Sequence, residues 1–238
     1  MKGGLQLRAR GAPARVAGRR ARLRRPAGAR LSDVAYEEIK RRVITLEYRP
    51  GSYLNAAQVS AQLGLGVTPV NQALNRLMIE GMVEVIPRKG AFVRPVSLEE
   101  ILNVIDVRQV TEMHCVRLAA ERATDAELAE LVAIIDRAET LVPKRDIEGL
   151  MLLDREFHLC LSRAARNPVL AEILLSLHER SLRFWFISLS DDKHLLAVLS
   201  EHREIADRLR RRDAEGACAA MRAHIDSFHA TIVQSNIR

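Results

Sequence analysis

Aromatic residues make up only 4% of the 238-residue chain, too few for the Tyr-, Phe- and Trp-rich interior on which β-sandwiches usually draw. Apolar residues are nonetheless 48% of it, carried mainly by Leu, Ala, Ile and Val. One or two sizeable cores packed helix on helix are therefore expected. Cysteine is equally scarce. Cys115, Cys160 and Cys218 show no C-x-x-C spacing, which argues against a disulfide framework and a cysteine-only zinc site and fits a reducing cytosol. No apolar run approaches the length of a membrane span, so no transmembrane helix is expected and the chain is placed in the cytoplasm.

Acidic residues are missing altogether from residues 1–30, which hold Lys2 and nine arginines. Overall there are 37 basic and 30 acidic residues, a net charge of +7, so residues 31–238 carry 27 basic against 30 acidic. The basic character belongs to the first segment. Residues 1–30 are rich in Arg, Ala, Gly and Pro without a sustained apolar period, and a disordered basic tail is expected. Three readings of it stand. It is a non-functional extension, a phosphate-binding arm adding salt-dependent affinity, or a targeting presequence. Against the last, it has no serine and its charges spread over both sides of any helix.

Residues 31–96 read as a small domain. Ser32 or Asp33 is positioned to cap a first helix, on which Ala35, Ile39, Val43 and Leu46 form one face. Pro50-Gly51 makes a turn, a short helix follows around Ala56–Gln62, and Gly64 breaks it. Thr68 is positioned to cap a third helix with Pro69 in its first turn, and Val70, Ala73, Leu74, Leu77 and Met78 form its apolar face. After Gly81 the period changes. Val83-Glu84-Val85 and Ala91-Phe92-Val93 alternate around Pro87-Arg88-Lys89-Gly90, the pattern of a two-stranded hairpin with a basic tip. Three helices and such a hairpin describe a winged helix-turn-helix, whose third helix would enter a DNA major groove while the tip reaches phosphates or the minor groove. A winged helix used only for protein contacts has the same pattern, and the segment's small net charge does not separate the two.

From residue 97 to 238 helical periods dominate, with six helices expected over roughly 98–121, 125–142, 145–165, 168–187, 193–212 and 213–234. Short breaks imply an antiparallel bundle. Polar residues interrupt three apolar stripes. Asp154 and His158, four apart, lie on the face of Leu150, Leu153, Phe157, Leu161 and Ala164. His202 sits amid Leu195, Leu199, Ile205 and Leu209, and His224 amid Ala217, Met221 and Phe228. Buried unpaired, such groups are costly. A divalent metal would compensate, three imidazoles and a carboxylate suiting zinc, with nickel, manganese or iron also fitting. The alternative is four hydrogen-bonded core residues. His114, His178, His194 and His229 fall beside or off the stripes and are read as surface residues or residues behind the ligands. Arg108 and Glu112 share a face with Ile101 and Ile105. Either Arg108 clamps the carboxylate of a small effector, or the two form an internal ion pair. Arg180 and Arg183, flanking Trp185, either reach the pocket or, the preferred reading, lie at its rim or in solvent.

The run Leu63-Gly64-Leu65-Gly66-Val67-Thr68-Pro69-Val70-Asn71-Gln72-Ala73-Leu74 resembles the L-G-V-S-R-T-P-V-R-E-A-L signature of GntR-family bacterial transcription regulators. Pro50-Gly51, Glu80-Gly81-Met82-Val83 and Pro87-Arg88-Lys89-Gly90-Ala91-Phe92-Val93 resemble its flanking elements. Where that family presents two arginines to DNA, this chain has Val67 and Asn71, with Gln72 in place of the usual Glu, so bidentate guanine readout by those arginines is lost. Asn71 and Gln72 would instead read adenine, with Thr68, Arg76 and Lys89 holding phosphates and Arg88, Lys89 and Gly90 forming the tip. The C-terminal segment resembles the all-helical FCD effector domain of the FadR-type branch. Asp154-x-x-x-His158 with Phe157, then Asn167, His202 and His224, match its elements. The resemblance implies Asp154, His158, His202 and His224 as metal ligands, beside a pocket for a carboxylate effector, for which Arg108 and Glu112 are the candidate contacts read above. The expected whole is mostly α, a winged helix-turn-helix followed by a helical bundle. It would act as a ligand-responsive homodimer on a double-stranded DNA operator, with no membrane partner. Two other classes stand beside it. One is a helical metalloenzyme, against which no clear general base is seen, since Glu156 and Glu201 neighbour ligands only in sequence. The other is a non-specific DNA coater resting on the basic tail.

Overall fold

The computed structural model describes residues 28–95, 97–188 and 192–237, with side chains described through residue 184 and again over 194–234. The readings of segment 1–30, save its last three residues, and of the Trp185 ring fall outside them. Two compact units divide after Ser97. The chain is mostly helical, and its only strands among the described residues lie in the first unit.

That unit runs α1 (Leu31–Ile44), β1 (Tyr53–Leu54), α2 (Ala56–Leu63), α3 (Val67–Ile79), β2 (Val83–Ile86) and β3 (Gly90–Val93). Its strands form one antiparallel sheet in the order β1-β3-β2, with Tyr53 opposite Phe92 and Val85 opposite Ala91. Ala35, Ile39 and Val43 of α1 are buried with Val70, Ala73, Leu74 and Leu77 of α3. Period alone placed these stripes. A polar clasp joins the same two helices, since Lys40, 3% exposed, bonds Glu80 Oε2 at 3.0 Å and the Tyr36 hydroxyl donates to Glu80 Oε1 at 2.6 Å.

The caps differ from those expected. Helix α1 begins after Arg30, and no side chain caps it. Asp33 instead accepts from Arg76 Nη1 at 2.7 Å. Leu46 lies beyond the end of α1 with φ +58°, so it does not extend the stripe. Thr68 is already inside α3, whose cap position is Gly66, and Met78 is 41% exposed. On α2 the side chain of Asn55 caps the first turn by accepting from Ala57 N and Gln58 N, and Gly64 closes the helix at φ +65°.

The second unit is a helical bundle of α4 (Leu98–Arg122), α5 (Asp125–Glu139), α6 (Ile147–Ala164), α7 (Pro168–Ser188), α8 (Asp192–Arg210) and α9 (Ala214–Ile237), with one 3-10 turn at Val142–Lys144. Local chemistry sets the starts. Thr124 and Glu127 form a reciprocal capping box on α5, Asp146 caps α6 by accepting from Gly149 N, and Asn167 Oδ1 accepts from Leu170 N at the head of α7. Helix α9 packs against both α4 and α8, and α6 against α5 and α7. The faces of α6, α8 and α9 that carry Asp154, His158, His202 and His224 are thereby turned inward.

Candidate functional site

Four apolar stripes bring the polar residues together. On α6 the stripe residues Leu150, Leu153, Phe157, Leu161 and Ala164 are all buried, and so are Asp154 and His158. His202 on α8 is 2% exposed and stacks on Phe157, ring centroids 4.2 Å apart. His224 on α9 is 6% exposed. Ligand atoms of His158, His202 and His224 lie within 4.8 Å of one another, and His202 Nε2 is 3.6 Å from Asp154 Oδ1. The fourth stripe belongs to α7. There His178, read from the sequence as lying off the clearest stripes, is buried and holds Nε2 3.2 Å from Asp154 Oδ2. Leu170, Leu174, His178 and Leu182 recur every fourth residue, all buried. That spacing was the signal for it. His114 and His229 are exposed, and half-buried His194 lines the cavity described below.

Carboxylates stand behind the imidazoles. His224 Nδ1 bonds Glu201 Oε2 at 2.8 Å, and His158 Nδ1 lies 3.3 Å from Glu112 Oε2. An ionised carboxylate only accepts, so both rings carry a proton on Nδ1, which leaves Nε2 as the atom not engaged by that carboxylate. Glu201 was expected to point away because it adjoins His202 in sequence. It instead faces α9, whereas Glu156 pairs outward with Arg137 at 2.8 Å. Glu112 also receives a bond from Arg108 Nε at 2.6 Å, both residues nearly sealed from solvent. Of the two readings of Arg108 and Glu112, the internal pair is the one present, and Glu112 serves two partners at once. Arg183 lies in the interior, 1% exposed, and not at a rim or in solvent. Arg180 Nη1 lies 3.9 Å from Glu100 Oε1.

Electrostatics fit a cation. Burial alone would raise the Asp154 carboxyl, but His178, His158 and His202 outweigh it and hold it well below the usual carboxylate range. Burial likewise would raise Glu112, and the Arg108 guanidinium with His158 brings it far down. Burial, reinforced by His158, pushes His178 to about 4, and burial with His224 pushes His202 well below its ordinary value. Both rings are neutral at pH 7, the form that donates a lone pair. Burial drives Cys160 up to about 11 and Cys115 higher still, so neither offers a thiolate. His158 Nε2 and His202 Nε2 are buried without a hydrogen-bond partner, each a cost of about 1–3 kcal/mol if left so. A cavity of about 20 Å³, lined by Arg108, Asp154, His158, His178 and His224 among others, opens onto His158, and His202 lines a separate one together with Asp154. At about 20 Å³ the cavity beside His158 exceeds the ~10–15 Å³ that one water needs.

In the first unit Thr68, Asn71 and Gln72 are exposed on α3, opposite its buried face, and Asn75 continues them one turn on. Asn75 went unremarked in the sequence, though it stands four residues after Asn71. Arg76 is held by Asp33 and lies over the Tyr36 ring at 3.7 Å, so a phosphate would have to compete for it. Arg88, Lys89 and Gly90 shape the tip between β2 and β3, with Arg88 at φ +64° and Gly90 at φ +99°. A Cβ on Gly90 would meet the exposed Tyr53 ring at 2.6 Å, so a side chain there would have to displace that ring as well as adopt a φ that favours glycine.

Comparison with known proteins gives the same division. The bacterial regulatory protein family gntR matches residues 31–93, and the FCD domain matches residues 103–227. The Nta operon transcriptional regulator of Aminobacter aminovorans is 30% identical over 175 residues, covering 68% of this chain and 80% of that protein. The HTH-type transcriptional repressor RspR of Escherichia coli K12 is 22% identical over 199 residues, covering 84% of this chain and 87% of that one. Among solved structures, E. coli McbR/YncC has a TM-score of 0.78 at 23% identity, covering 87% of this chain and 98% of that one. A putative GntR regulator from Rhodococcus sp. RHA1 has a TM-score of 0.71 at 21% identity, covering 86% and 97%. These two structures bear on the fold, and the family matches bear on kinship: the chain belongs to the GntR family of bacterial transcriptional regulators, in the FadR-type branch that carries an FCD domain.

Proposed function

We propose that this regulator senses a small carboxylate through a divalent metal held by Asp154, His158, His202 and His224, and binds a palindromic operator as a homodimer. Zinc is the first choice of ion, with nickel, manganese or iron as alternatives. The observation that carries the metal is the pair of buried Nε2 atoms on His158 and His202 that lack any protein partner beside His224 and Asp154. When bound, the ion supplies a Lewis-acidic point for an acid's oxygen and a tie between α6, α8 and α9. The chain's own residues do the rest. Glu112 and Glu201 fix the tautomers of His158 and His224, a role typical of carboxylates behind metal-binding histidines. Arg108 lines the same cavity and adds positive charge toward an anion. The cavity admits little more than one small group, so a larger acid enters by displacing side chains. That displacement is the event that would be transmitted. Operator affinity then shifts by the acid's differential affinity for two arrangements of the protein, and by no more.

On the DNA side, Thr68, Asn71 and Gln72 face outward from α3 and suit contacts in a major groove, the two amides matching adenine edges. Arg88, Lys89 and Gly90 at the tip suit phosphates. The test is a footprint of the full-length protein on the DNA upstream of its own gene at physiological salt, repeated after chelation and with a series of small acids. A protected palindrome whose protection changes on chelation and with one acid is expected. Salt-sensitive binding without a protected site would overturn the specific-regulator reading, and protection indifferent to chelation would overturn the metal linkage.

A further inference from the structure

The quartet Asp154, His158, His202 and His224 leaves a fourth imidazole unexplained. His178 on α7 is 6% exposed, and neither of its ring nitrogens makes a hydrogen bond. Its Nε2 approaches Asp154 Oδ2 at 3.2 Å, while the other carboxylate oxygen faces His202 Nε2 at 3.6 Å. Its ring lies 4.4 Å from that of His158, centroid to centroid. Donor atoms of Asp154, His158 and His178 lie within 4.8 Å of one another, as do those of His158, His202 and His224. The two groups share His158, and Asp154 spans both. Opposite donors on one ion are separated by about 4.4 Å when each bond is near 2.2 Å, a span comparable to that within each group. The bland role for His178 is core filler. Leucine already fills that role one turn away on either side, at Leu174 and Leu182, with no ring nitrogen to satisfy.

We propose that His178 is a fifth protein ligand of the same ion, completing a shell of one carboxylate and four imidazoles. This rests on the metal reading above. Five nitrogen and oxygen donors exceed a closed tetrahedron and suit an ion that accepts a tetragonal or octahedral shell, nickel among them. At most one position of an octahedron then remains, so an incoming acid binds through a single oxygen or displaces His178. The residue therefore sets both the choice of ion and the denticity of the effector.

The experiment uses the full-length protein, stripped with chelator, titrated with Co(II) and followed by proton NMR with ¹⁵N-labelled histidine. Each coordinated imidazole contributes one strongly shifted ring N–H signal. One Co(II) per chain and four such signals are expected in the wild type, with three in His178→Leu. Co(II) affinity in that variant is expected to fall about tenfold or more, a loss at least as large as that from an orienting residue. A purely structural His178 would leave affinity unchanged. One bound Co(II) with three signals in the wild type overturns the fifth ligand and leaves the quartet standing. Two Co(II) per chain overturns the common shell. No Co(II) binding overturns the metal reading and this inference together. The wild-type count decides alone, so a variant that fails to fold does not blunt the test.

Discussion

Glu112→Gln is expected to damage the helical unit well beyond what an isosteric change implies. Glu112 serves Arg108 Nε with one oxygen, at 2.6 Å, and His158 Nδ1 with the other, at 3.3 Å. A glutamine has one acceptor oxygen for these two donors. Arg108, 3% exposed, would then stand as a buried cation without its counter-charge. Removing one partner of a buried pair typically costs about 3–5 kcal/mol, against a whole-domain stability of about 5–15 kcal/mol. At roughly 2–4 °C per kcal/mol, the metal-stripped variant should melt about 6–20 °C below the wild type. Replacing both partners, as Arg108→Met with Glu112→Leu, should restore part of the loss, because an apolar pair of similar volume leaves no charge unpaired while His158 Nδ1 still lacks its acceptor. Thermal unfolding of stripped protein by circular dichroism measures all three. A single-variant loss below about 1 kcal/mol, or a double variant no better than the single, would refute the reasoning. The pH dependence has a defined sign. The Glu112 carboxyl is held far below its unfolded value of about 4.3, so its contribution is full above that value and is lost as pH falls through the depressed one. Titration between pH 5 and 8 therefore should not reproduce the variant.

Other outcomes follow from the same structure. His202→Ala is expected to remove most bound metal, read by elemental analysis of purified protein, and full occupancy would sink the ligand assignment. Asn71→Ala should weaken operator binding by about 1–3 kcal/mol while random DNA is held nearly as before, and equal losses on both would reduce Asn71 to a general contact. Gly90→Ala combines φ +99° with a Cβ 2.6 Å from the Tyr53 ring. It is expected to destabilise the first unit by about 1–3 kcal/mol, visible as a lower melting temperature, and an unchanged one would show that the tip relaxes freely.

Period made the helices and their buried faces legible. The stripes of α3, α6, α8 and α9 needed only the spacing of Leu, Val, Ile and Phe, and the centring of Asp154, His158, His202 and His224 on them gave the cluster. What failed was chemistry that period does not carry. Strand β1 is two residues long and exists through its pairing with Phe92 and Ala91, so no alternation announced it. Thr68 has the composition of a cap, yet α3 begins one residue earlier, because Gly66 takes the extended cap conformation. Asp33 answers a partner 43 residues away in place of its own helix end. Glu201 was discounted for adjoining His202, although a long side chain at the edge of a helix face reaches the next helix. His178 did have a signal, its four-residue spacing from Leu174 and Leu182, which a count of the other stripes passed over.

The Asp33–Arg76 pair carries a consequence for how fast this regulator finds its site. Arg76 sits on the helix that would face DNA, yet its guanidinium already holds a carboxylate at 2.7 Å. Any phosphate must evict Asp33 first. Both partners are about half exposed, so the eviction is worth up to ~1 kcal/mol, a several-fold change in an equilibrium. Toward a DNA phosphate, Asp33 would thus act as a decoy. If Arg76 takes a DNA phosphate, that cost would shorten each stay on random sequence, where backbone charge is all there is to hold, and would take proportionally less from an operator that base contacts also hold. A searching protein would then gain turnover along DNA from one aspartate in the first turn of a helix that itself need not touch a base.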